Sequence, residues 1–142
     1  MLKIKISRFY KTDINTFLPL VQELMEHSVE ENLLKARFGE MFEHRYECYG
    51  IYVEEKLAGV FGLWFATRHY CGKTCEADHV FIKPEYRSKG LGKQVFQWIY
   101  DYAREKGCET SELNAYVHNF AGHKFYLNEN YVIKGYHFLK KL

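Results

Sequence analysis

The six residues Arg87-Ser88-Lys89-Gly90-Leu91-Gly92 set two glycines and two cations where the sequence changes from strand to helix spacing. Such a turn gathers backbone N–H groups that a helix leaves unpaired, at the positive end of its dipole, and suits a bound phosphate. Gly90 and Gly92 let the backbone curl and approach an anion with no Cβ in the way. Arg87, Lys89 and Lys93 add mobile positive charge around the same spot. Two well-known phosphate loops do not fit. The Walker pattern needs glycine five residues before Gly92, where Arg87 stands. The dinucleotide pattern needs glycine where Val95 stands, and no alternating βαβ half follows.

Other residues carry chemistry with less definition. Glu76 and Asp78 stand two apart on one strand and therefore share a face, where a pair of acids attracts cationic amines. His69, Cys71, Cys75 and His79 have ligand chemistry, but their spacing fits no regular zinc pattern, so no metal is expected. No local signature of a cysteine nucleophile surrounds any of the four cysteines. The aromatic excess, Trp64 included, reads as core or pocket wall rather than a platform for stacking bases.

These residues need elements to position them. Residues 2–9 alternate as a half-buried strand. Thr12 or Asp13 can cap a helix to about His27, with Ile14, Phe17, Leu18, Val21 and Leu24 on one face. A second helix spans about residues 30–44. Residues 49–53 and 58–65 form a hairpin around Glu54-Glu55-Lys56, and residues 76–82 form a strand ended by Lys83-Pro84. The period then becomes 3.6 over residues 90–106, with Leu91, Val95, Phe96, Ile99 and Ala103 inward, and Gly107 ends that helix. A strand over 111–117, a helix over 119–127 and a last strand over 131–139, interrupted near Gly135, complete the order βααβββαβαβ. The fold class is α/β: a mixed sheet with helices on both faces.

The bulk numbers narrow the partners. The chain's 142 residues suit one domain, and 47% hydrophobic content suffices for a core. A formal net charge of +2 argues against nucleic acid or a membrane surface as partner. The N-terminus lacks the apolar run of a signal peptide, and reduced cysteines in a cytoplasmic protein are expected.

Residues 80–92, read as Val80-Phe81-Ile82-Lys83-Pro84-Glu85-Tyr86 and the turn, resemble the acetyl-CoA motif of the GNAT N-acetyltransferase superfamily. In that pattern Arg or Gln, two residues, Gly, one residue, and Gly or Ala follow the fourth strand. Downstream, Asn114-Ala115-Tyr116-Val117-His118-Asn119 and Phe125-Tyr126-Leu127 resemble the family's fifth strand and following helix. The resemblance implies a GNAT-like acyl-CoA N-acyltransferase fold and acetyl-CoA as cosubstrate. It implies that backbone groups of Val80, Phe81 and Ile82 hold the pantetheine arm, as a strand edge holds an added strand. It further implies that amides of Arg87, Ser88, Lys89, Gly90, Leu91 and Gly92 cradle the pyrophosphate, and that Asn119 bonds the cofactor arm.

By the same resemblance, Glu76 stands where several such enzymes carry the general base, with Asp78 as its alternative, and Tyr126 matches the acid near the thioester. An acceptor amine arrives protonated and must lose that proton before it can attack. The segments that choose the acceptor offer Arg37, Phe38, Glu40, Phe42, Glu43, Trp64, Arg68 and His69. They suggest a small primary amine, and some stretches are similar to aminoalkylphosphonate N-acetyltransferases. A protein or peptide N-acetyltransferase and a catalytically idle acyl-CoA-binding module stay open as alternatives. An exposed C-terminal strand leaves room for a homodimer.

Overall fold

A computed structural model describes residues 2–142. Its nine main elements run β1 (Ile4–Phe9), α1 (Ile14–Leu24), α2 (Glu31–Met41), β2 (Tyr46–Val53), β3 (Lys56–Arg68), β4 (Gly72–Ile82), α3 (Leu91–Glu105), β5 (Thr110–Leu113) and α4 (Phe120–Asn128). The strands form one mixed sheet in the order β1-β2-β3-β4-β5. The first four are antiparallel to their neighbours, and β5 joins β4 in parallel after the α3 crossover.

Alternation along the strands divides the core between two faces. On one face Phe9, Tyr46, Cys48 and Val60 meet α1 and α2 through Phe17, Leu18, Val21 and Phe38. On the other, Phe61, Leu63, Cys75 and Ala77 meet the inward row of α3. That row is Leu91, Val95, Phe96, Ile99 and Ala103, the residues the 3.6 period selects.

Local chemistry explains most boundaries. Glu30 caps α2, its carboxylate accepting the N–H groups of Asn32 at 2.9 Å and Leu33 at 3.0 Å. Asp13 does precede α1, but its carboxylate turns back to accept the Tyr10 N–H at 2.8 Å instead of capping that helix. The β2–β3 hairpin turns on Glu54 and Glu55, both with positive φ (49° and 64°), the backbone that matches the twist of paired strands. Gly107 ends α3 at φ 81°.

Two expected strands differ. Pairing of β5 ends at Leu113, well short of residue 117, because β4 parts from it beyond Ala77. Residues 131–139 form no sheet strand: their sequence favours an extended chain, but no neighbouring strand lies beside them to complete the hydrogen bonds. No helix among the described residues is long and apolar enough to cross a membrane.

Candidate functional site

The site begins at an irregularity in β4. Gly62 of β3 lies opposite Asp78, and Val60 opposite Phe81, so Phe61 alone faces both His79 and Val80. Two residues against one make a bulge, and His79 absorbs it at φ 36°. The bulge reverses the alternation. Asp78 and His79 both lie on the α1–α2 face, while Val80 and Ile82 join the α3 face. On its other side β4 pairs with β5 only from Thr74 to Ala77. The stretch from Asp78 to Ile82, with Val80 and Phe81 inside it, therefore has a strand neighbour on the β3 side alone.

Buried groups hold the bulge in place. The His79 Nε2 lies 2.5 Å from the Tyr46 hydroxyl, packed by Phe38 and Trp64. Nδ1 of His79 is buried without a partner. Burial pushes the His79 pKa down and the Tyr46 pKa up, so both stay neutral. Gly62 leaves the space for this pair, since a Cβ there would run into the His79 ring and come within 2.7 Å of Tyr46.

Where β4 and β5 part, a hollow of about 490 Å3 opens. Glu76, Asp78 and Glu112 line it together with Arg68, Tyr70, Asn114 and His137. Asp78 is fully engaged: one carboxylate oxygen accepts the Trp64 indole N–H at 2.9 Å, the other the His79 N–H at 2.8 Å. Among the described residues Glu76 accepts only the Asn114 amide, at 3.1 Å on one oxygen, and keeps the other free. Burial first, and then the charges of Asp78 and Glu112, raise the Glu76 pKa above its ordinary value of 4.5.

The same strand leads out of the bulge into the anion turn. A 3-10 turn (Pro84–Tyr86) follows β4, then Ser88 and Gly90 adopt positive φ (59° and 79°), and α3 begins at Leu91. No side chain caps α3, and none of the N–H groups of residues 88–93 donates to another group among the described residues. A bound anion would complete them. Nothing lies within 4 Å of the position a Gly90 Cβ would take, so this surface is open.

One expectation about the turn changes. Arg87 is not mobile: its Nε donates to the Ile82 carbonyl at 2.7 Å and its guanidinium lies over the Phe81 ring. It ties the turn to the strand edge. Gly92 also clears space for α4, because its Cβ would stand 3.3 Å from Phe125. Lys89 and Lys93 remain exposed beside the turn.

Asn119 and Tyr126 belong to the same end of the fold. Asn119 caps α4, its Oδ1 accepting the Gly122 N–H at 3.1 Å, and a Cβ on Gly122 would collide with its amide. That contact explains the small residue three positions on. Tyr126 packs on Phe96, Phe125 and Tyr131, and its hydroxyl makes no hydrogen bond among the described residues. Burial, then Tyr131, raises its pKa above 10.0, so the phenol stays protonated. Tyr126 belongs to the α3 face and Glu76 to the opposite one. Tyr126 does not line the hollow, so the structure does not bring the two into one pocket.

The candidate acceptor residues separate in the same way. Arg68 lines the hollow and Trp64 holds Asp78 beside it. Phe38 is buried in the core and Phe42 packs against it through Phe17 and Tyr46, Glu43 pairs with Lys11, and His69 meets Tyr70 edge to face. Arg37 and Glu40 do not line the hollow. Tyr46 escapes sequence reasoning because its importance lies in a bond to a residue 33 positions away. Among the described residues no three His, Cys, Asp or Glu side chains gather around a metal-sized space.

The chain matches the Acetyltransferase (GNAT) family over residues 9–129. It is similar to the aminoalkylphosphonate N-acetyltransferase of Salmonella typhimurium (strain LT2), 30% identical over 74 residues, which are 52% of this chain and 48% of that protein. It is also similar to the thialysine N-epsilon-acetyltransferase of Bos taurus, 30% identical over 54 residues, 37% of this chain and 32% of that protein. The matched parts thus span half or less of these relatives. Among solved structures, ribosomal-protein-alanine N-acetyltransferase from Brucella melitensis biovar Abortus superposes with a TM-score of 0.81 at 18% identity, over 99% of each chain. The aminoglycoside N-acetyltransferase AAC(6')-Iy in complex with CoA does so with a TM-score of 0.82 at 14% identity, over 100% of this chain and 96% of that one. At such identities these likenesses show the fold, here a mixed five-strand sheet with four helices. Because the family match runs unbroken through the parted strands, the open turn and α4, the chain belongs to the acetyltransferase (GNAT) family, whose cosubstrate is acetyl-CoA.

Proposed function

We propose that this chain transfers the acetyl group of acetyl-CoA to a primary amine of a small molecule, by direct attack in a ternary complex. The observation that carries this reading is the acidic hollow at the parting of β4 and β5, continuous along one strand with a turn of unpartnered amides. The turn of residues 87–92 takes the pyrophosphate. The unpaired edge at Val80, Phe81 and Ile82 takes the pantetheine arm as an added strand, with Asn119 at its far side. The bond from Arg87 to Ile82 keeps cradle and edge in fixed relation.

The acceptor enters the hollow as a cation, drawn by Glu76, Asp78 and Glu112. Glu76 removes its proton, directly or through a water; its free oxygen and raised pKa favour it over Asp78, whose oxygens are both occupied. The freed nitrogen attacks the thioester carbon, and an outward-facing N–H of the unpaired β4 edge stabilises the oxyanion. Collapse expels the CoA thiolate, which takes the proton held by Tyr126. A hollow of about 490 Å3 lies within the ~300–1,000 Å3 of small-ligand sites, and Arg68 suits an acceptor that also carries an anionic group.

A screen of polyamines, aminophosphonates, aminoglycosides, amino acids and short peptides for CoA release tests the acceptor class. Turnover of a small amine is expected; release with peptides alone overturns the reading. Acetyl-CoA should raise the melting temperature, and Gly90→Glu should abolish that shift by placing a carboxylate in the cradle. Normal acetyl-CoA binding by that variant would remove the turn from the site.

The pH profile tests the base. Glu76 must be deprotonated to act, so kcat should rise with pH through an acidic limb lying above 4.5, the direction its pKa is shifted. Glu76→Gln should lose that limb, run at least tenfold slower at neutral pH given the ~10²–10⁴-fold worth of general-base catalysis, and recover partly at alkaline pH as the amine deprotonates itself. An unchanged profile would rule out Glu76. Tyr126→Phe should lower kcat with the acetyl-CoA Kd nearly unchanged; equal losses in both would mean that Tyr126 only packs.

A further inference from the structure

A second hollow, of about 330 Å3, lies at the opposite end of β4 and α3 from the anion turn. Its lining includes Arg8 of β1, Arg45 just before β2, Glu47 of β2, Lys73 of β4 and Lys106 at the end of α3. Four cations thus face one carboxylate, a larger surplus than the +2 of the whole chain. The hollow shares no residue with the acidic one. The 15 residues of α3, roughly 22 Å of helix, keep it from the turn, too far for one pyrophosphate to reach both.

Backbone bonds fix where these cations stand. The Arg45 carbonyl accepts the Phe65 N–H at 3.0 Å. The Lys73 carbonyl accepts the Glu109 N–H at 2.7 Å, and its own N–H donates to the Glu109 carboxylate at 3.2 Å. Lys73 Nζ donates to the Lys106 carbonyl, covering the negative end of the α3 dipole. The Lys106 ammonium lies over the Tyr102 ring and the Arg8 guanidinium over Tyr10. Among the described residues none of the four side chains forms an ion pair. The lining carboxylate is already engaged: Oε1 of half-buried Glu47 accepts the hydroxyls of Tyr49 at 2.5 Å and Tyr102 at 2.6 Å.

One unpaired cation on an open face is ordinary, since water solvates it. Four cations from four separate segments around one concavity repel each other, and a bound anion relieves that repulsion. We infer that this hollow is a second anion site, taking a small molecule that carries a phosphate or pyrophosphate group, apart from the acetyl-CoA turn. Arg8 and Arg45 suit two-point contact with phosphate oxygens, and Lys73 and Lys106 add point charges. The volume falls within the ~300–1,000 Å3 of small-ligand sites.

Inorganic pyrophosphate, titrated at ~0.15 M salt into the full chain saturated with CoA and followed by amide NMR shifts, tests this. The amides of Arg45, Glu47, Lys73 and Lys106 should move together along one saturating curve. The double variant Arg45→Ala, Lys106→Ala should move that curve to about tenfold higher concentration or beyond, the worth of one hydrogen bond to a charged group. The CoA-induced shifts of residues 88–92 should stay as they are. Both substituted side chains are exposed, so the spectrum should remain that of a folded chain; Arg8→Ala should weaken binding in the same direction. Amides that stay still, or that move without saturating, overturn the inference, as does a wild-type curve in the double variant or in Arg8→Ala. A single-stranded oligonucleotide that saturates the same amides at lower concentration than pyrophosphate overturns the small-molecule assignment.

Discussion

A strand paired along both edges has no backbone left for a ligand, and β4 escapes that condition only where β5 leaves it. Everything functional in this fold depends on that parting. Up to Ala77 the strand lies between two neighbours; from Asp78 onward one edge is open. The bulge at His79 accompanies the change, turning Asp78 and His79 to one face and Val80 and Ile82 to the other. The parting thus opens a hydrogen-bonding edge next to the two acids of the hollow, and the same strand delivers the chain to the turn before α3.

An irregularity of this kind persists because the surroundings hold it. The Tyr46–His79 bond, Trp64 on Asp78 and the absence of a Cβ at Gly62 interlock around the bulge. A buried hydrogen bond contributes about 0.5–1.5 kcal/mol, and leaving one of its groups unpaired costs about 1–3 kcal/mol. The unpartnered Nδ1 of His79 is such a cost, offset by the aromatic packing around it. Burial keeps both members of the pair neutral, so no ionic charge arises in the core beside the acids of the hollow.

The proposed reaction uses the two faces of the sheet for opposite proton tasks. Glu76 is raised by burial and by neighbouring carboxylates, which makes it the stronger proton acceptor. Tyr126 is raised by a purely apolar and aromatic setting, which keeps it protonated until a thiolate appears. Separation across the sheet lets each environment act without the other.

The sequence by itself determined what local chemistry dictates. Periodicity placed α3 and its inward row; Glu54-Glu55-Lys56 marked the hairpin; two glycines and their flanking cations marked the anion turn; two-residue spacing put Glu76 and Asp78 on one face. Tertiary structure decided what depends on partners distant in the chain. It engaged both oxygens of Asp78, leaving Glu76 the freer acid, and folded Arg87 back onto β4. It set Gly92 against Phe125, buried Phe38, packed Phe42 against the same core and joined Tyr46 to His79. It also left residues 131–139 without a strand beside them, although the sequence there reads as strand material. The physical reason is the same each time: torsional preference and side-chain period are written residue by residue, whereas a hydrogen bond or a packed ring needs a second group that only the fold brings near.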